Sequence, residues 1–277
     1  MASDILPPSY CEPPSYLATL CGPTARYACM SLSGTDKLRL IGFPEEDATA
    51  VVEVVDAAIT ASWGVQARTC PKKRVFEWKL KGRPWAGDGW NDEATPLRLL
   101  IGSIRGLAAT GWHAHAAADV AYRLSCGRDT LFLRQGPPVQ RAVFAITFRK
   151  PSILMLVDAP HVVQNVFITR LKAWYDGVHG WEVENGALKV HLKGQLWPGF
   201  TEAQTFAVRE LLCGILGTLD ELGYELVASM DFTAVPAWNR LGAAQPGRSR
   251  GSTNIDSWFF ASKGPSIPSD ANPSRDQ

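Results

Sequence analysis

The sequence predicts an α+β fold made of a tandem, pseudo-symmetric repeat. Each unit is expected to run β-α-β-α-β-β, with a mostly antiparallel sheet and two helices on one face. Three observations predict this. At an offset of 112 residues the chain matches itself: "VFEWKLKGRPWAG" from Val75 falls on "ALKVHLKGQLWPG" from Ala187. Residues 75–119 and 187–231 share twelve identities in 45 ungapped positions, about four times chance. Within the match, stretches of period-two alternation are followed by stretches with apolar residues at helical spacing, so strand and helix patterns recur in the same order in both copies.

The elements follow in order. "KLRLIGFP" and "SILMLVDAP" open the units with apolar strands at 38–43 and 152–157. A helix follows at about 46–63 or 160–174, ending at Trp63 or Trp174. In the first copy "EED" stands in its opening turn, where negative charge favours a helix N-terminus. The second strand alternates Phe76, Trp78 and Leu80 against Glu77, Lys79 and Lys81. Copy two sets Leu188, Val190 and Leu192 against Lys189, His191 and Lys193. Gly82/Gly194 and Trp85/Trp197 close that strand with a turn.

A second helix has apolar residues at 99, 100, 104 and 107, or at 211, 212, 215, 216 and 219, with Gly111 or Gly223 just past its end. Gly102 and Gly214 lie inside it, at about 1 kcal/mol each relative to alanine, which suggests a backbone packed closely on its neighbour. The third strand puts Trp112, Ala114, Ala116 and Ala118 on one face, or Tyr224, Leu226, Ala228 and Met230. "DTLFLR" and "DSWFF" end the units, with about fifteen extra residues before the latter. Each unit is thus expected to hold four strands.

The boundaries drawn from this are a disordered leader 1–35, unit one 36–138, a connector 139–151, unit two 152–262 and a disordered tail 263–277. In "QGPPVQRAVFAITFRKP" the apolar middle fits a further strand as well as a free linker. With 46% hydrophobic and 20% charged residues the chain reads as a folded protein, and a formal charge of +1 gives no field favouring nucleic acid or an anionic membrane. Six scattered cysteines without CxxC read as free thiols. The opening "MASDILPPSY" lacks signal-peptide character and no apolar run is long enough to span a bilayer, so a cytoplasmic location is expected.

Strand alternation places candidate polar groups on the helix-free faces. If the two sheets faced each other they would enclose a groove formed by Lys79, Lys81, His113, His115, Asp119, His191, Lys193 and Asp231, rimmed by Trp85 and Trp197. His113-x-His115 offers two metal ligands, but copy two has Glu225 and Val227 there and no third ligand is implied, so no metal is expected. The lysines suit an anion or a neighbouring carboxylate. Asp119, Asp231, Asp129 and Asp256 suit acid–base work or turn capping. The two tryptophans suit a rim or a staple at the strand–turn junction. No GxGxxG, P-loop, GxSxG or HExxH occurs, and no cofactor is expected.

The leader carries "PPSYCEPPSY". Pro7, Pro8 and Tyr10, and again Pro13, Pro14 and Tyr16, resemble the PPxY ligand of WW domains, including those of HECT-type ubiquitin ligases. Prolines pre-set the extended helix such grooves accept, and two sites raise avidity. "FEWKLKGRPW", the "LL…G[WY]" segment and "DTLFLR"/"DSWFF" together resemble a family of functionally uncharacterised filamentous-fungal proteins with one or two such units and often a Pro/Tyr-rich leader. That resemblance covers about 35–262 and implies no activity. The expected function is a non-enzymatic binding or adaptor protein that recruits WW-domain partners. The alternatives are a cyclase or isomerase of hydrophobic metabolites acting between the repeats, with a small hydrophobic ligand, or an oligomer-forming structural protein.

Overall fold

The computed structural model describes residues 26–85, 94–118, 120, 127–149, 151–197, 201–231 and 256–264. Unit one comprises β1 (Tyr27–Ser33), β2 (Lys37–Ile41), α1 (Ala48–Ser62), β3 (Val65–Lys72), β4 (Val75–Leu80), α2 (Thr95–Ala109), β5 (Trp112–Ala118) and β6 (Gly127–Gln135). Unit two repeats it with β7 (Val143–Arg149), β8 (Ile153–Val157), α3 (His161–Trp174), β9 (Val178–Glu184), β10 (Ala187–Leu192), α4 (Glu202–Glu221), β11 (Tyr224–Met230) and β12 (Ser257–Ser262). The first sheet has the order β3-β4-β2-β1-β6-β5 and the second the equivalent order β9-β10-β8-β7-β12-β11, every neighbour antiparallel.

The tandem α+β architecture is as expected, but each sheet has six strands where four were expected. β1 lies inside the segment assigned to the leader, and β7 is the apolar middle of the connector, so each unit starts earlier than drawn. β3 and β9 are edge strands, β3 exposed at every residue and β9 exposed from Trp181 to Glu184. Period-two patterning reports burial of one face; β3 buries neither, and on β9 Val178 packs against the core while Trp181 and Val183 stay exposed.

Apolar spacing seats the helices. Val51, Val55, Ala58 and Ile59 bury one stripe of α1 against the first sheet. The acidic run precedes that helix instead of lying in its first turn. Asp47 does not cap it: its Oδ2 accepts the indole N–H of Trp112 (3.2 Å) and the amide of Gln135 (3.1 Å). α2 opens with Pro96 in its first turn, and α4 with a capping box in which Thr201 and Gln204 exchange hydrogen bonds at 3.2 and 3.1 Å. The helix glycines pack as expected. A Cβ on Gly102 would lie 3.1 Å from Ala58 Cβ, and one on Gly214 would meet the Trp174 ring.

The units share a core. α2 is buried on nearly all sides, because sheet one covers one flank and the helix-free face of sheet two covers another. Val143, Ala145, Met155, Val157, Phe259 and Ala261 from that face join Leu97, Ile101 and Ile104 of α2 in one cluster. A second cluster fills the space between sheet two, α3 and α4. Arg98 pins the junction, donating to Asp158 Oδ1 at 3.0 Å and to the carbonyl of Asn185. A second tie joins the units where β5 runs along β11: Asp231 N donates to Asp129 Oδ2 at 2.7 Å. The helix-free face of sheet one points away from unit two, so the groove expected between two facing sheets does not form.

Candidate functional site

The helix-free face of sheet one carries a cluster of charged and polar side chains. β-Sheet alternation puts Glu77 and Lys79 there from β4, Lys37 and Arg39 from β2, Cys29 and Ser31 from β1, and Phe132 and Arg134 from β6. Glu77 is the electrostatic centre: Lys37 Nζ donates to Oε1 at 2.9 Å and Arg39 Nε to Oε2 at 2.6 Å. Burial by itself raises the Glu77 pKa, but the hydrogen bonds and charges of Lys37 and Arg39 outweigh it and hold the carboxyl below its ordinary value. Burial pushes the Cys29 thiol up, away from the thiolate a nucleophile needs.

The expected site residues are scattered. Lys79 and Lys81 sit on or just after β4, while His113 and His115 sit on β5, at the opposite side of the sheet. Four strand spacings separate them, about 19 Å. His113 Nε2 is 2.7 Å from the Pro137 carbonyl, and His115 packs edge-on against Tyr27 with ring centroids 5.4 Å apart. Asp119 lies outside the described residues. On sheet two, His191 pairs with Glu182 at 3.4 Å near one edge, while Asp231 ends β11 at the other. Lys193 is exposed and its N–H donates to Gly177 O at 2.7 Å, the bond that Lys81 makes with Gly64 O at 3.2 Å.

The two tryptophans are staples. Trp85 Nε1 donates to the Lys37 carbonyl at 3.0 Å and Trp197 Nε1 to the Ile153 carbonyl at 3.1 Å, at equivalent positions of β2 and β8. Trp85 is fully buried and Trp197 half-buried. Asp129 accepts a backbone N–H from unit two, and Asp256 accepts the Ser229 hydroxyl at 2.9 Å. Among the described residues no three His, Cys, Asp or Glu side chains come together to hold a metal ion, and Cys29, Cys70 and Cys213 are free thiols. No helix among them is long and apolar enough to cross a membrane. The PPxY residues Pro7, Pro8, Tyr10, Pro13, Pro14 and Tyr16 also lie outside the described residues.

Sequence reasoning missed Arg98 and the face residues Tyr27, Phe132 and Arg134. A signal for Arg98 was present in the self-match, where it stands opposite Glu210: a charge reversal at one helix position marks two copies in different surroundings. No curated protein matches the chain. No solved structure matches it. A domain family of uncharacterised function matches twice, over residues 26–134 and 142–261, and those limits enclose β1 and β7 at the starts of the units. The chain therefore belongs to that family and carries two copies of its domain.

Proposed function

We propose that this is a cytoplasmic, non-enzymatic adaptor: a duplicated α+β body that presents binding faces, with an N-terminal segment that recruits WW-domain proteins. The observation that carries the reading is the doubled motif, Pro7-Pro8-Ser9-Tyr10 and Pro13-Pro14-Ser15-Tyr16, ahead of the first family match at residue 26. Prolines pay little entropy on docking in an aromatic groove, and a second copy raises the chance of rebinding. The use of the polar candidates supports it as well. Glu77 is occupied by two cations, both turn tryptophans by backbone carbonyls, and Asp129 and Asp256 by structural hydrogen bonds. Side chains spent in this way hold the fold together and do not converge on a substrate.

A pull-down of the full chain by a tandem WW-domain protein tests the recruiting role. Wild type should be captured, single Tyr10→Ala or Tyr16→Ala variants captured less, and the double variant lost. Undiminished capture of the double variant, or none of the wild type, removes the proposal.

A further inference from the structure

The junction between the two units is heterologous: one flank of α2 meets the helix-free face of the following sheet. Each end of the chain presents one half of the same junction, with no described element over it. At one end is the helix-free face of sheet one, and at the other the flank of α4. Both halves keep much of the apolar character of the buried one. Where sheet two places Val143, Ala145, Val157, Ala187 and Phe259 against α2, sheet one has Tyr27, Cys29, Ile41, Val75 and Phe132 in the same register. Where unit one puts Ala94 and Ala114 in or against the shared core, unit two has Phe206 and Leu226, 52% and 40% exposed. Large apolar side chains in water at positions equivalent to an interface point to one.

The rim charges complement each other with the sign reversed. Inside the chain, Arg98 of α2 meets Asp158 and the Asn185 turn. On α4 the counterpart of Arg98 is the exposed Glu210. On sheet one the counterparts of Asp158, Asn185 and Gly186 are Gly42, Lys73 and Arg74. That corner holds a cleft of about 490 Å³ in which the cations Arg26, Lys73 and Arg74 stand with Glu45 and Glu46. Lys73 pairs with Glu45 at 3.6 Å and Arg26 with Glu46 at 2.7 Å, so Arg74 is the cation outside these pairs and the corner keeps a positive balance. We infer that a second copy of this chain docks here, the flank of its α4 on the helix-free face of sheet one and its Glu210 beside Lys73 and Arg74. Arg39 and Arg134 stand where Met155 and Ala261 are, and Arg209 and Asp220 where Leu97 and Ala108 are, so the contact between chains is more polar than the internal junction. It is therefore weaker and salt-sensitive. Being heterologous, it does not close at two copies but extends head to tail.

Sedimentation velocity and light scattering of the full chain over a range of concentration and salt test this. Average mass should climb past two chains as concentration rises and fall back as salt is added. Glu210→Lys or Lys73→Glu should each weaken association about tenfold or more, and the two variants mixed should recover it through the reversed pair. Both residues are exposed, so the variants keep the fold, and Phe206→Ser should weaken association without the salt dependence. A mass that stays at one chain, a dimer that stops at two and ignores Glu210→Lys, or association that appears only when residues 1–25 are removed would each overturn it. The last result would make the chain's own N-terminal segment the cover of that face.

Discussion

Glu77 sits on the exposed face of sheet one between two cations, and its ionisation is part of the fold. Its folded-state pKa lies below the unfolded value of about 4.3. The stability it contributes is therefore complete above that value and is lost as pH falls through the lower folded value. Glu77→Gln should destabilise the chain at neutral pH, where Lys37 and Arg39 lose their partner. The difference from wild type in urea midpoint should shrink on acidification, and a difference unchanged down to about pH 3 would assign the effect to packing instead. Trp85 makes a different demand. Fully buried and bonded to the Lys37 carbonyl, it should lose about 2 kcal/mol as Trp85→Phe, while the half-buried Trp197→Phe should lose less than about 1 kcal/mol in the same unfolding measurement. Alternation placed Glu77 and Lys79 on the correct face. Their partners were not legible, because Glu77 pairs with Arg39 only once β2 is known to neighbour β4, and a strand's own pattern does not name its neighbour.

Helix packing differs between the units in a way that glycine reports. On α2, a Cβ at Gly106 would fall 2.8 Å from Val54 Cβ, so α1 and α2 touch along their backbones. On α4, Gly217 has nothing within 4 Å of where its Cβ would be. Alanine improves helix propensity at both, by up to about 1 kcal/mol. Gly217→Ala should therefore raise stability by about that amount, whereas Gly106→Ala should lower it by about 1–3 kcal/mol through overpacking. Equal gains at both sites in urea unfolding would mean that α1 and α2 part easily. Gly102 and Gly214 were readable as close-packing devices because they stand at the same position of the two copies, whereas Gly106 and Gly217 stand opposite Thr218 and Arg105 and gave no such signal. The third strand was readable only halfway. Register shifts between Ala114 and Ala116, and between Leu226 and Ala228, insert one extra residue at equivalent places, His115 and Val227. Beyond the bulge the faces exchange: Ala114 lies opposite Leu133 on the helix side and Ala116 opposite Phe132 on the other. Simple alternation has no term for an inserted residue, so Ala116 and Ala118 were assigned to the wrong face.

At the scale of the whole molecule, duplication has given one sheet surface two fates. In unit one it is turned outward and holds Arg39 and Lys37 against Glu77. In unit two it is buried under α2, with Met155 at the position of Arg39. The offset comparison exposed the repeat and the strand patterns exposed its two-sidedness, but neither says which face of one unit meets which face of the next. That choice is written in the differences between copies, Arg39 against Met155 and Arg98 against Glu210, and not in the identities used to find the repeat. The reciprocal exchange tests it. Met155 is 2% exposed, so Met155→Arg places an unpaired charge inside the shared core and should cost about 3–5 kcal/mol. Arg39 keeps a third of its side chain in water, so Arg39→Met forfeits one partly screened ion pair and should cost no more than about 1 kcal/mol. The loss from Met155→Arg should appear as a lower midpoint for a single transition seen by every probe, because α2 and the helix-free face of sheet two share one cluster that spans both units. Two separated transitions in wild type, or equal costs for the two exchanges, would mean that the units stand independently and that α2 does not seal the second sheet.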